Sequence, residues 1–88
     1  MNRTDLRAMI VDEIGNIAPE VEAVTLGDAE DLRNALDLDS MDIFNLVVAL
    51  SLRLGIDIPD ADAGQLVTLG GGAAYLERRL AGAPPTGP

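Results

Sequence analysis

The sequence predicts an all-α fold, a small four-helix bundle of three longer helices and one short one, with a long loop between helices one and two. Three observations carry that prediction. Apolar residues make up 48% of the chain but aromatics only 2% (Phe44 and Tyr75), so the core is built from Leu, Ile, Val, Ala and Met. That palette packs as helices more readily than as a β-sandwich. Apolar positions recur at three- and four-residue steps in separate stretches. A chain of 88 residues is enough for one domain with a modest core and no buried active-site cavity.

The first helix is read from Leu6, Met9, Ile10, Ile14 and Ile17, with Thr4 as its cap and Gly15 as its end. Residues 16–38 follow as a loop containing Pro19, Gly27 and the acidic residues Glu20, Glu22, Asp28, Glu30, Asp31 and Asp37. Such a length is unusual in a compact domain and calls for tethers, for which Val21, Val24, Leu32, Leu36 and Leu38 are the candidates. Residues 39–54 form the clearest element, an apolar helix closed by Gly55 and followed by Ile56-Asp57-Ile58-Pro59. Asp60 is placed to cap a short piece through Leu66, and Thr68 to cap a last helix reaching Leu80 with Leu69, Ala73, Leu76 and Leu80 on one face. Gly70-Gly71-Gly72 at its start predicts fraying or a late beginning. The domain is assigned to residues 1–81, and the Gly- and Pro-rich segment 82–88 is expected to be disordered.

One position combines several chemical signals. Asp39 is a good N-cap and Asp42 stands where a capping box returns the hydrogen bond, making Ser40 the first helical residue. A helix N-terminus carries open N–H donors and about half a positive charge, so an anion on the Ser40 hydroxyl is favoured there. The residues alone are equally satisfied by a plain helix start.

The wider pattern is more specific. It reads Leu36-Asp37-Leu38-Asp39-Ser40-Met41-Asp42, then Leu46-Val47, Ala49-Leu50, Leu54-Gly55, Ile58-Pro59-Asp60, Thr68, Ala73-Ala74 and Tyr75-Leu76. With these residues the chain resembles the acyl carrier protein family over nearly its whole length. The resemblance implies a four-helix bundle whose serine, here Ser40, receives 4'-phosphopantetheine from coenzyme A through a phosphopantetheinyl transferase, with Asp39 and Asp42 as the flanking motif. The arm's thiol would then hold acyl intermediates as thioesters for fatty-acid-like, polyketide-like or other specialised metabolism, served by acyl-loading, acyl-transfer or synthase enzymes. An aminoacyl or peptidyl carrier is the nearest alternative within the family, and an unmodified helical interaction module is the alternative outside it.

The chain departs from the family along the Ser40 helix. A wheel at about 100° per residue gathers Ile43, Leu46, Val47, Leu50 and Leu54 into a core stripe. Nearly opposite lies a second apolar stripe, Met41, Phe44, Val48 and Leu52, margined by Asn45 and Ser51. Where the family usually carries glutamates that meet basic partners, this chain has Asn45, Ser51, Leu52 and Arg53. Met41, Phe44, Asn45, Val48 and Leu52 are therefore the candidate partner surface. Burial of the stripe under the loop, or its lining an acyl cavity, are the other arrangements open to it.

Composition limits the chemistry. The chain lacks Cys, His and Lys, which removes thiolate chemistry, the commonest general base and the commonest metal ligand, and a self-sufficient enzyme is not expected. The net charge of −9 repels nucleic acid and anionic membrane, and serves either solubility or recognition by basic protein surfaces. The N-terminus shows no leader and no stretch is apolar enough to span a membrane, so a cytoplasmic monomer is expected. The triple glycine lacks the Gly-Lys-Ser/Thr of a phosphate loop. Asp37-Leu38-Asp39 followed by Asp42 resembles the opening of a calcium loop, but its Gly is missing and its bidentate Glu position falls on Val48. No metal site is assigned, and weak divalent binding by the acidic loop stays open. Arg78-Arg79 is read as complementing the last helix's dipole.

Overall fold

The computed structural model describes residues 2–19 and 26–82, and among them every regular element is helical. In order these are α1 (Arg3–Ile17), α2 (Leu32–Ala35), α3 (Ser40–Leu54), a 3-10 helix (Asp60–Leu66) and α4 (Leu69–Gly82). The three long helices and the short one match the expected bundle. The added feature is α2, one turn inside the loop.

The first helix starts earlier and ends later than its sequence signals imply. Asn2, not Thr4, is the N-cap, its side chain accepting from the Asp5 backbone N–H at 2.8 Å. Asn is the stronger cap, and starting there puts the Asp5 carboxylate in the first turn beside the positive end of the dipole. Gly15 does not stop the helix, which continues to Ile17 with Ala18 as C-cap. Pro19 disfavours helical geometry at Ala18, and burying Ile14 and Ala18 favours continuing through an exposed glycine.

Leu32 is fully buried, Leu38 nearly so, and Leu36 packs at the core's margin, as tethers should. Val21 and Val24 lie outside the described residues. Polar contacts fasten the loop's second half: Arg7 reaches Asp28 and the Leu26 carbonyl, Gly70 N–H donates to Asp28 O at 3.0 Å, and Leu32 N–H to Val67 O at 2.7 Å.

The core of α3 is the stripe expected of it, with Ile43, Leu46, Val47 and Leu50 buried and Leu54 partly so. Gly55 ends the helix in the left-handed region, φ 68°, as a glycine C-cap does. The following 3-10 helix is capped at Pro59, which offers no side-chain bond, so Asp60 is not a cap. Pro59's fixed φ starts the turn and its carbonyl accepts from Asp62 N–H at 2.9 Å, leaving Asp60 inside the first turn.

Thr68 does cap α4, its Oγ1 accepting from Gly71 N–H at 3.0 Å. The helix begins directly at Leu69, contrary to the late start expected of three glycines. Close packing explains them: a Cβ on Gly70 would fall 2.9 Å from the Asp28 Cβ, and one on Gly72 would fall 3.1 Å from both Ile10 Cδ1 and Leu66 Cδ2. Leu69, Ala73 and Leu76 are fully buried on the expected face and Leu80 partly so. The helix runs on to Gly82, and the remaining tail, 83–88, lies outside the described residues.

Arg78 and Arg79 do more than meet a dipole. Arg78 donates to Gln65 Oε1, and Arg79 donates to both the Tyr75 hydroxyl and the Asp57 carbonyl. Tyr75, itself buried, donates to Asp62 Oδ2 at 2.6 Å, so the group latches the 3-10 helix and the turn before it onto α4.

Candidate functional site

The start of α3 is built by a complete capping box. Asp42 N–H donates to Asp39 Oδ1 at 2.9 Å, and Asp39 N–H donates to Asp42 Oδ2 at 3.2 Å. The reciprocal pair fixes the entry of the chain into the helix, so Ser40 stands exposed at the first helical position, in the turn whose N–H groups lack carbonyl partners within the helix. Just upstream, Asp37 takes a left-handed conformation (φ 56°), and the Leu38 N–H donates back to the Arg33 carbonyl at 3.1 Å, closing off α2 before the cap.

Ser40 lines a cavity of about 270 Å³ that opens to solvent between α3 and the 3-10 helix. Its walls are mainly apolar, Ile43, Phe44 and Val47 on one side facing Ala63 and Val67 on the other. Two charged residues also line it, Arg33 from α2 and Asp60 from the 3-10 helix. Asp60 reads in the sequence as a helix cap, and nothing there singles out Arg33. A signal for α2 was present, because Asp31 precedes Leu32 and Leu36 at a helical spacing, and Asp31 proves to be its N-cap. Nothing local, however, indicated that the residue after Leu32 would line the same cavity as Ser40.

Arg33 and Asp31 form a bidentate pair, Nε to Oδ1 at 3.1 Å and Nη2 to Oδ2 at 2.8 Å. Hydrogen bonds from the Arg33 side chain, then its backbone N–H, hold the Asp31 carboxyl below its ordinary range. The same pairing raises the guanidinium.

The proposed partner residues do not share one environment. Met41, Val48 and Leu52 project into solvent, Leu52 the most at 79% exposure, and Asn45 is exposed beside them. Phe44 is half-exposed yet also lines the cavity. Among the described residues nothing covers the stripe, and its single contribution to the cavity is Phe44. Arg53, which interrupts the family's acidic face, bonds across to Asp12 and Glu13 on α1 at 2.6 and 2.8 Å. It braces α1 against α3.

The described residues contain no group of three or more acidic side chains able to hold a metal ion, and none of their helices is long and apolar enough to cross a membrane. The residues present do fit a phosphopantetheine arm: an exposed serine at a capped helix start, with an adjoining apolar cavity and one guanidinium.

Comparison with known proteins agrees. The family described as "Phosphopantetheine attachment site" matches residues 4–76. The acyl carrier protein of Chlamydia trachomatis serovar D is 35% identical over 75 residues, covering 85% of this chain and 91% of that protein. Those of Helicobacter acinonychis and Campylobacter hominis are 36% and 32% identical over 73 residues each, covering 83% of this chain and 87% and 86% of theirs. With the family match spanning most of the chain and relatives above 30% identity over nearly their full length, the chain belongs to the acyl carrier proteins, the carriers of covalently attached 4'-phosphopantetheine.

Proposed function

We propose that Ser40 is the attachment residue and that the chain carries acyl groups as thioesters on an arm bonded there, without catalysing their chemistry itself. The observation that carries this is the position of Ser40: exposed, first in a helix fixed by the Asp39–Asp42 capping box, and opening onto an apolar cavity. The arm supplies a thiol, which this chain lacks. The protein's own residues orient the attachment point, offer helix N–H donors to the phosphate, and provide apolar walls at Phe44, Val47 and Val67.

In this reading a phosphopantetheinyl transferase and acyl-loading, acyl-transfer or synthase enzymes are the partners, and they dock on Met41, Phe44, Asn45, Val48 and Leu52. An exposed apolar stripe with a polar margin supports docking through apolar contact rather than through a row of carboxylates. The working unit is residues 1–81, acting as a cytoplasmic monomer, with a charge of −9 opposing self-association.

The test is incubation with coenzyme A and a broad-specificity transferase. Intact mass should rise by one phosphopantetheine, and Ser40→Ala should abolish the rise. A folded wild-type chain that gains no mass with any competent transferase would instead be an interaction module using the same exposed stripe.

A further inference from the structure

Building on attachment at Ser40, we infer that Arg33 is a positioning residue for the arm's phosphodiester, drawing the phosphate toward the cavity wall that it shares with Ser40. The phosphate is joined directly to the serine oxygen, so its negative charge stays beside the start of α3 wherever the rest of the arm goes. That neighbourhood is already acidic. Asp39 and Asp42 form the capping box, Asp37 precedes it, and Asp60 lines the cavity. The helix end offers less than a bare N-terminus would, because the Asp42 N–H is already committed to Asp39.

Arg33 supplies the missing countercharge. It is the sole basic residue lining this cavity, although five other arginines stand in the chain. Those five are engaged elsewhere: Arg3 with Glu77, Arg7 with Asp28, Arg53 with Asp12 and Glu13, Arg78 with Gln65, and Arg79 with Tyr75. The other lining side chains Ile43, Phe44, Val47, Ala63 and Val67 carry no charge, which leaves Arg33 as the lining group able to attract an anion. Asp31 does not consume the group. It takes two of the five N–H donors and thereby orients the fork, while the side chain remains 53% exposed.

The experiment compares the unmodified and phosphopantetheinylated forms of the wild type, Arg33→Gln and Arg33→Lys, with loading at Ser40 verified by mass. The quantity read is the change in thermal midpoint on loading, which cancels any purely structural effect of the substitution on the unmodified fold. At low salt, loading should be less favourable in Arg33→Gln than in the wild type by about 4 °C or more. Arg33→Lys should recover part of that difference as a point charge, and high salt should shrink it. Equal changes on loading in wild type and Arg33→Gln overturn the inference, as does a difference seen only after a carboxylate-bearing acyl group is added, since the anion would then be on the cargo. Failure of the wild type to gain mass removes the attachment at Ser40 and the inference with it, an outcome distinct from normal loading without coupling.

Discussion

Replacing a helical glycine by alanine should change stability in opposite directions at two positions of this protein. Gly15 lies exposed in α1, and a Cβ there meets nothing within 4 Å. Alanine in a helix interior is favoured over glycine by about 0.8–1.0 kcal/mol, so Gly15→Ala should stabilise by most of that amount. Gly72 lies buried in α4, where the same Cβ falls 3.1 Å from Ile10 Cδ1, 3.1 Å from Leu66 Cδ2 and 3.5 Å from Leu66 Cα. Ile10 and Leu66 are both 0% exposed, so neither side chain can swing into solvent to make room. Overpacking of this kind costs roughly 1–3 kcal/mol, which exceeds the gain in helix propensity and leaves a net loss of about 1 kcal/mol. At about 4–8 °C per kcal/mol for a domain of this size, Gly15→Ala should raise the thermal midpoint by several degrees and Gly72→Ala should lower it by a similar amount. Thermal and urea unfolding of the unmodified chain read both changes. If Gly72→Ala also raises the midpoint, the glycines are not there for close packing and the account of α4 is wrong.

Three further outcomes follow from the same geometry. Asp39→Ala removes the acceptor that holds the Asp42 N–H and should cost about 1 kcal/mol in denaturant unfolding, whereas Asp39→Asn, another good cap, should retain most of it. Leu52→Ser, at 79% exposure, should change stability by about 0.5 kcal/mol or less, and Phe44→Ser, half-buried against the cavity, by about 1 kcal/mol, while both weaken partner binding in a titration by calorimetry; unchanged binding in both variants would contradict docking on this stripe. Burial, then the hydrogen bond to Asp62, raises the Tyr75 hydroxyl's pKa in the folded chain. The stability this contributes is fully present below about pH 10, where the unfolded tyrosine is still protonated, and is lost as pH rises through the folded value. Thermal midpoints above that pH should therefore fall more steeply for the wild type than for Tyr75→Phe.

Much of this was legible in sequence because the signals were local. The capping box needs only Asp39 and Asp42, the α3 core stripe only a wheel, and the glycine cap at Gly55 only its place after Leu54. The errors came where distant contacts decided. Gly15 reads as a stop, but the burial of Ile14 and Ala18 carries the helix past it, and Pro19 sets its end. The triple glycine reads as a weak start until Asp28, Ile10 and Leu66 are seen pressing against it. Arg33 carried no signal at all, since its place in the lining of the cavity that Ser40 also lines depends on α2 being held by the Leu32–Val67 bond and on the left-handed Asp37. Tertiary contacts of that kind leave no period in the sequence to read.

The faces of α3 divide the work of a carrier in a way that bears on its specificity. One face is buried in the core, and Arg53 at the far end is held by two carboxylates of α1. The face toward the 3-10 helix forms a wall of the cavity beside Ser40, and the remaining one, Met41, Val48 and Leu52, is open and uncharged. Phe44 belongs to the last two at once, so whatever docks on the open stripe touches a side chain that also bounds the cavity. A partner that pushes Phe44 inward reduces the room there, and one that draws it out enlarges it. If a partner docks on the stripe as proposed, its binding and occupation of the cavity would be linked through Phe44, and linkage requires each to alter the affinity of the other by the same factor. A docking surface built from carboxylates alone would have no such side chain in common with the cavity. With partners docking on the stripe as proposed above, Phe44 would put partner contact and the cavity beside Ser40 in mechanical contact.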